Sequence, residues 1–424
     1  MIKEIRADVK KNQQMNRLLQ GDVGSGKTIV AILSMLIAID NGYQACIMAP
    51  TEILAQQHFK TMSQELKSLD IKIDILTGSK KSKSRKVLLE ELKNGYINLL
   101  IGTHALLEDT VEFSNLGFVV IDEQHRFGVA QRAKLWKKNK YPPHILVMTA
   151  TPIPRTLSMT LYGDLDVSVI DELPPGRKEI KTLWKSDSSR LNIIRFMHEQ
   201  IKEGRQVYIV FPLIDESAKL DYKNLIEGFD SIVREFPLPD FQVSVVHGQM
   251  KSADKEYEMQ RFVEGKTDIL VATTVIEVGV NVPNASVMVI ESAERFGLSQ
   301  LHQLRGRVGR GANQSYCVLM SGHKVSVDGK TRLQTMVDTN DGFKLAEVDL
   351  KLRGPGDMMG TKQSGLLNFK IADLIKDNKI LIFAREQAQI LLEDDFDLSK
   401  SENINIARFY RPYARERMGW SRIS

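Results

Sequence analysis

Short apolar runs rich in β-branched residues recur along the chain, and longer stretches of mixed apolar and polar residues separate them. In the first half the runs cover residues 17–19, 44–49, 71–76, 97–101, 118–121 and 145–148. In the second half they cover residues 206–211, 243–246, 268–272, 287–291 and 315–320. Strands that alternate with helices are typical of parallel sheets with right-handed crossovers. The pattern therefore predicts an α/β protein with two parallel sheets flanked by helices.

The strand pattern restarts after the turn Pro174-Pro175-Gly176, which marks a domain boundary. A chain of 424 residues is long enough for two or three domains. We expect α/β domains over residues 1–176 and 177–330. Residues 331–424 lack strong strand runs and are expected to be mainly helical, with a glycine-rich break at 353–356.

Residues 21–28, Gly-Asp-Val-Gly-Ser-Gly-Lys-Thr, fit the phosphate-loop pattern G-x-x-x-x-G-K-[ST] between a strand and a helix. Glycines let backbone N–H groups surround a polyphosphate, and the helix N-terminus favours the same anion. Lys27 would contact the outer phosphates, and Thr28 would hold a magnesium ion. The nucleotide-binding candidates are Gly21, Gly24, Ser25, Gly26, Lys27 and Thr28. The alternative is a glycine-rich turn with a chance lysine.

An acidic pair, Asp122-Glu123, ends the run 118–121. Such a pair beyond a phosphate loop suits ATP hydrolysis, because Asp122 can hold magnesium through water and Glu123 can activate the attacking water. The segment 149–152 ends another strand and could sense the γ-phosphate. Alone, either segment could be an ordinary strand end.

The segment 303–310, Gln-Leu-Arg-Gly-Arg-Val-Gly-Arg, closes the second predicted domain. Arginines among glycines suit a charge clamp on a phosphoryl transition state, and Arg307 and Arg310 are the candidates. They lie on a different domain from the phosphate loop, so catalysis would require the domains to close. The alternative is a basic surface segment.

The composition of the chain bears on its binding partner and on the cellular compartment in which it acts. The net charge of +5 permits a polyanionic partner without requiring one. The basic runs 80–86 and 408–417 could contact phosphates or form solvated surface. Cys46 and Cys317 lie in separate apolar runs and are expected to be buried thiols, which indicates a reducing cytoplasm. No apolar run is long enough to span a membrane.

The motif order resembles that of the superfamily 2 helicases and translocases: GDVGSGKT, APTEILAQQH, TGS, IGTHAL, DEQH, TATP, HG, ATTVIEVGVN and QLRGRVGR. The segments 122–132, 149–157 and 341–365 are similar to those of the RecG family of DNA helicases. Transcription-repair coupling factors share the C-terminal element. They tend to differ at the DEQH motif and at Arg353-Gly354-Pro355-Gly356, so the RecG family is preferred.

The resemblance implies two RecA-like domains with ATP and Mg²⁺ between them. It implies a monomeric motor on double-stranded and branched DNA, including replication forks and Holliday junctions, in recombination and repair. The family's nucleotide-linking motif falls on Gly279 and Asn281. Its nucleic-acid path and C-terminal element fall on Thr51, Thr77, Ser79, Thr103, His104, Arg332, Arg353 and Gln363. The alternatives are a transcription-repair coupling translocase and a non-catalytic, nucleotide-switched nucleic-acid clamp.

The chain departs from the RecG pattern before the phosphate loop. The family's N-terminal wedge domain and its adenine-recognising glutamine segment have no counterpart in residues 1–20. We therefore expect a C-terminal motor fragment, with weak discrimination between nucleotide bases and with little fork unwinding.

Overall fold

The computed structural model contains two parallel sheets and a set of C-terminal helices. It describes residues 1–11, 13–78, 82–123, 135, 138–139, 141–153, 165–172, 178–212, 218–273, 282–311, 313–357 and 377–421. We call the first sheet with its helices the first lobe and the second sheet with its helices the second lobe.

The first lobe alternates strands and helices as the apolar runs predict. Its described elements are α1 (Ile2–Val9), β1 (Asn16–Gly21), α2 (Lys27–Asp40), β2 (Gln44–Met48), α3 (Glu52–Glu65), β3 (Ile73–Leu76), α4 (Ser82–Lys93), β4 (Leu99–Gly102), β5 (Leu116–Asp122), β6 (His144–Thr149) and β7 (Asp166–Ile170). The strand order is β3-β4-β2-β5-β6-β1-β7, and all the pairs are parallel.

The second lobe repeats this plan with six strands. Its described elements are β8 (Lys181–Ser186), α5 (Arg190–Lys202), β9 (Gln206–Val210), α6 (Ala218–Glu235), β10 (Val243–Val246), α7 (Ser252–Val263), β11 (Ile269–Ala272), β12 (Ala285–Ile290), α8 (Leu298–Arg305) and β13 (Tyr316–Ser321). The order is β10-β11-β9-β12-β13-β8, again all parallel.

Burial on both faces explains why the central strands read as continuous apolar runs. Every residue of β2 and of β9 is buried, as expected for parallel strands covered by helices on both sides. The edge strands β7 and β8 are different, because each keeps exposed polar residues. The sequence analysis missed both of them for this reason.

Parallel pairing places the ends of β1, β5 and β6 at one edge of the first sheet. Gln20 lies beside Thr149, and Asp122 lies beside Met148. The phosphate loop, the acidic pair and the segment 149–152 therefore emerge together. The tertiary fold joins these three motifs although they are far apart in sequence.

The C-terminal region is helical in the part that the structure describes, with α9 (Val327–Asp338), α10 (Gly342–Asp357), α11 (Asn378–Asp394) and α12 (Ile404–Ser421). Leu333, Met336 and Leu345 join the hydrophobic core of the second lobe. The predicted break at 353–356 is wrong, since the α10 backbone continues to Asp357. Pro355 lies in the last turn and lacks the N–H that would bind the carbonyl oxygen of Lys351.

Cys46 and Cys317 are both buried free thiols, as expected, and they lie in different sheets. Burial raises the pKa of each thiol to about 12. Among the described residues, no helix combines the length and the apolar character that a membrane span requires.

Candidate nucleotide site between the two lobes

The phosphate loop has the backbone that its sequence predicts. Gly26 takes φ +96°, in the left-handed region that favours glycine, and α2 begins at the next residue. Lys27 is buried, and its Nζ donates to the carbonyl oxygens of Gly21 at 2.7 Å and Asp22 at 2.8 Å. The lysine charge is therefore held against the loop.

The tight packing at Gly21 makes the loop a cradle. A Cβ at this position would lie 2.5 Å from Ser25 Oγ. The Ser25 hydroxyl is buried and has no hydrogen-bond partner among the described residues. A free hydroxyl, the first backbone N–H groups of α2 and a buried ammonium group are suitable partners for a polyphosphate. The loop residues therefore fit a nucleotide.

Asp122 and Glu123 occupy different electrostatic environments at the end of β5. Burial acts to raise the pKa of Asp122, but a hydrogen bond from His58 and the Lys27 charge outweigh it, so the pKa is lowered. Burial, and then the neighbouring Asp122 charge, raise the pKa of Glu123. Asp122 therefore stays an anion that suits a cation, whereas Glu123 has the stronger affinity for a proton.

Glu123 has an unusual backbone conformation, and two contacts orient its carboxylate. Its φ of +54° is unusual for a residue with a side chain. Glu123 Oε2 accepts from the Ala150 N–H at 3.4 Å and lies 3.5 Å from Thr149 Oγ1. The segment 149–152 therefore contacts the candidate base directly.

The second lobe reaches the phosphate loop through α8 and the residues that follow it. His302 Nε2 lies 2.9 Å from Asp22 Oδ1. The Gln303 amide donates to the Thr151 hydroxyl. A Cβ at Gly306 would lie 2.9 Å from Val23 Cγ2, so only a glycine allows this close approach. The two lobes are therefore in contact at the nucleotide site.

Arg305 determines how His302 binds Asp22. The Arg305 guanidinium is 2% exposed and lies 3.0 Å from His302 Nδ1. Because guanidinium only donates, Nδ1 must accept, and the imidazole proton lies on Nε2 and is donated to Asp22. Burial acts to raise the pKa of Asp22, but this hydrogen bond and the charges of Lys27 and Arg305 outweigh it and lower the pKa.

Arg305 also holds the connection between α9 and α10. Its guanidinium donates to the carbonyl oxygens of Met336 and Thr339 at 2.9 Å each and to that of Asn340 at 3.2 Å. A Cβ at Gly342 would lie 2.6 Å from both Asp22 Oδ1 and His302 Nε2. The start of α10 is therefore pressed against the contact between the lobes.

The arginine candidates lie near the carboxylates of the first lobe. Arg307 is buried, and its charge acts to lower the pKa of Glu123 against the larger effect of burial. The Arg310 charge adds to the burial that lowers the pKa of Lys27. The structure thus brings Lys27, Glu123, Arg307 and Arg310 into one electrostatic environment.

Comparison with known proteins divides the chain into three matches. Residues 3–160 match the DEAD/DEAH box helicase family, and residues 190–312 match the helicase conserved C-terminal domain. Residues 339–424 match the C-terminal part of domain 3 of the ATP-dependent DNA helicase RecG. The curated protein from Synechocystis with that name is 52% identical over 406 residues, which are 96% of this chain.

This chain belongs to the RecG family. The Bacillus subtilis RecG is 52% identical over 93% of the chain. A solved structure, described as RecG bound to a three-way DNA junction, has 44% identity and a TM-score of 0.74 and covers 89% of this chain and 49% of its own. The chain spans about half the length of its curated relatives, 48% and 58% of these two. The predicted RecA-like fold is confirmed.

The residues predicted on the DNA path of the RecG family occupy the rim of the first sheet. Thr51 is the N-cap of α3, and its hydroxyl accepts from the Leu54 N–H at 3.4 Å. Thr77 and Thr103 are buried, and His104 is exposed. Ser79 lies outside the described residues. Their DNA contacts stay predictions.

Other predicted positions are described only in part. Gly279, Asn281 and Gln363 lie outside the described residues, as does the turn at 174–176, and Arg353 is described only as helical backbone. The Arg332 guanidinium donates to the carbonyl oxygens of Phe296 at 2.6 Å and Glu294 at 3.1 Å. It therefore fastens α9 to the second lobe.

Sequence reasoning missed His58, His302 and Arg305 as parts of the site. Arg305 lies inside the arginine motif but points into the core rather than into the cleft. The signal for His58 was its spacing, because it lies seven residues after Thr51 on the same predicted helix face. No local pattern could have shown that His302 meets Asp22, since 280 positions separate them.

Proposed function

We propose that this chain is an ATP-driven motor that moves on double-stranded and branched DNA. The observation that carries the proposal is the split site. Lys27 and the acidic pair come from the first lobe, and Arg307 and Arg310 come from the second. The RecG name of its relatives and the three-way DNA junction in the related structure support DNA as the track.

The residues support a division of roles. Lys27 and the glycine cradle would hold the phosphates, and Thr28 and Asp122 would hold Mg²⁺, which when bound would neutralise phosphate charge. Glu123 would take the proton of the attacking water, because its pKa is raised. Arg307 and Arg310 would stabilise negative charge in the transition state. These assignments require both lobes, so turnover is coupled to their relative movement.

The domain limits and the remaining site residues belong to the same proposal. We place the domains at 1–176, 177–330 and 331–424. Gly279 and Asn281 would link the second lobe to the nucleotide. Thr51, Thr77, Ser79, Thr103, His104, Arg353 and Gln363 would contact DNA phosphates without reading sequence. The family resemblance supports action as a cytoplasmic monomer.

The proposal is tested by the ATP hydrolysis rate without DNA and with single-stranded, double-stranded and branched DNA. We expect stimulation by duplex and branched DNA. The Lys27→Ala variant should lose turnover by at least about a hundredfold, because it removes the buried cation of the cradle. A matched control is Lys60→Ala, which removes an exposed lysine of α3.

Retained turnover in Lys27→Ala would refute the assigned nucleotide site. Equal turnover of the parent chain with and without every DNA would refute the motor and favour a nucleotide-switched clamp.

A further inference from the structure

Helix α3 contacts three different parts of the molecule along its 14 residues. Thr51 caps its N-terminus at the predicted DNA path. Ile53, in the first turn, packs against the hydrophobic core of the second lobe. His58, two turns after Thr51, binds Asp122 at the nucleotide site. One helix therefore joins the predicted DNA surface, the second lobe and the candidate metal ligand.

The contact between His58 and Asp122 is direct and shielded. His58 Nε2 lies 2.9 Å from Asp122 Oδ2, and the two side chains are 10% and 14% exposed. The imidazole donates and the Asp122 carboxylate accepts, and the carboxylate also accepts a backbone hydrogen bond from Glu123. A hydrogen bond to one oxygen fixes the plane of a carboxylate, and outer partners of this kind orient metal ligands.

Helix geometry lets movement at one end of α3 reach the other. Residues 51 and 58 are seven positions apart, so their side chains lie on one face at a separation of about 10 Å. Leu54, Ala55 and Met62 are buried in the core of the first lobe and hold this helix against the sheet. Backbone hydrogen bonds link its successive turns, so we expect a displacement of the first turn to shift the imidazole as well.

The first turn of α3 lies where both outside partners would act. A Cβ at Gly78 would lie 3.5 Å from Glu52 Oε1, so this turn adjoins the segment 77–78 on the predicted DNA path. Ile53 meets the second lobe from the same turn. DNA binding and lobe closure would thus displace the same part of the helix.

We propose that His58 is a positioning residue that orients Asp122 and transmits displacement of α3 to it. DNA at Thr51, or the second lobe at Ile53, would then adjust the carboxylate that holds Mg²⁺. This inference rests on the proposed function, because it assigns a route by which DNA stimulates ATP hydrolysis.

The test compares His58→Leu with His58→Gln. Leucine removes the donor at similar bulk, whereas glutamine can still offer an N–H group to Asp122. The control is Gln56→Leu, which makes a comparable change on the exposed face of α3. The first readout is the affinity for a fluorescent, non-hydrolysable ATP analogue with Mg²⁺ and with EDTA. The second is the ratio of ATP hydrolysis rates with and without duplex DNA.

His58→Leu should weaken Mg²⁺-dependent binding by about 10–100-fold and leave binding in EDTA unchanged. In this variant the ratio of ATP hydrolysis rates with and without duplex DNA should fall toward one. His58→Gln should restore most of both properties, and Gln56→Leu should behave as the parent chain. Ile53→Ala keeps the imidazole–carboxylate contact, so it should retain Mg²⁺-dependent binding and lose part of the stimulation.

Parent-like Mg²⁺ dependence in His58→Leu would overturn the positioning role, and unchanged stimulation in Ile53→Ala would overturn transmission through α3. If His58→Leu does not fold, parent-like values in His58→Met and a loss in His58→Gln would likewise overturn the proposal. A parent chain that DNA fails to stimulate would instead refute the proposed function, while the comparison of Mg²⁺ with EDTA would still test the positioning role.

Discussion

Asp22 and Asp122 are two carboxylates of one site, and each meets the Nε2 of a histidine at 2.9 Å. The partner of Asp122 is His58, which belongs to the same lobe. The partner of Asp22 is His302, which belongs to the other lobe. The first contact forms whenever the first lobe folds, whereas the second exists only while the lobes touch.

The two histidines also differ in the parts of the molecule that hold their side chains in place. His302 is oriented by the buried Arg305, which also binds the connection between α9 and α10. His58 stands on a helix that reaches the predicted DNA path. The same histidine–carboxylate pair therefore joins the two lobes in one case and lies within the first lobe in the other. We call the contact of Asp22 with His302 the interlobe joint.

Among the variants that separate the two histidine contacts, Arg305→Leu is expected to have the largest effect on stability. The change removes the guanidinium donor from the buried carbonyl oxygen of Met336 and the partly buried one of Thr339, and it frees His302 Nδ1. We expect a loss of about 3 kcal/mol in the free energy of unfolding, measured by urea titration. The Asp122 contact should be unaffected, so binding of the nucleotide analogue to the first lobe should change less.

If Arg305→Leu lowers the free energy of unfolding by less than about 0.5 kcal/mol, the guanidinium does not stabilise the contact between the lobes. Arg332→Leu is the matched control, because it also removes an arginine that binds backbone carbonyl groups of the second lobe. That variant should cost stability without disturbing His302.

A smaller effect is expected from Gly342→Ala. The new methyl group would meet Pro152, Asp22 and His302 at 2.5–2.6 Å, so the joint must open to admit it. We expect a cost of about 1–3 kcal/mol and lower energy transfer between dyes placed on the two lobes. Gly322→Ala is the control, because its nearest neighbour would lie at 3.8 Å. Equal energy transfer in both variants would contradict the claim that the packing of Gly342 against Asp22 and His302 holds the lobes together.

The smallest effect is expected from Glu123→Gln, and it depends on pH. The pKa of Glu123 is raised, so its carboxyl contributes full stability below the ordinary value of 4.5 and loses it as pH rises through the folded pKa. Glutamine does not titrate. The variant should therefore gain on the order of 1 kcal/mol over the parent toward neutral pH, while it loses turnover.

Asp22→Asn is expected to show the opposite dependence. The pKa of Asp22 is lowered, so its contribution is present above the ordinary value of 3.8 and is lost as pH falls through the folded pKa. The variant should be less stable than the parent at neutral pH and equal to it in strong acid. Thermal unfolding from pH 1 to pH 8 checks both, and parallel profiles would contradict the assigned environments.

Local pattern predicted most of the fold, because buried parallel strands must be continuously apolar. It placed β2, β5, β6, β9 and β12 and found the loop and the acidic pair. It missed the edge strands β7 and β8, since their exposed polar residues interrupt that signal, whereas it found the edge strands β3 and β10 from their apolar runs. It also predicted a break in α10 at residues 353–356, where the helical backbone continues to Asp357.

The sequence by itself determined the phosphate loop, the acidic pair and the arginine motif, because each is a short segment whose chemistry depends on adjacent residues. Only the tertiary structure decided that Asp22 meets His302 and that Asp122 meets His58. Those contacts join segments 280 and 64 positions apart. Hydrogen bonds between distant side chains depend on how helices pack on sheets, and no local pattern encodes that geometry.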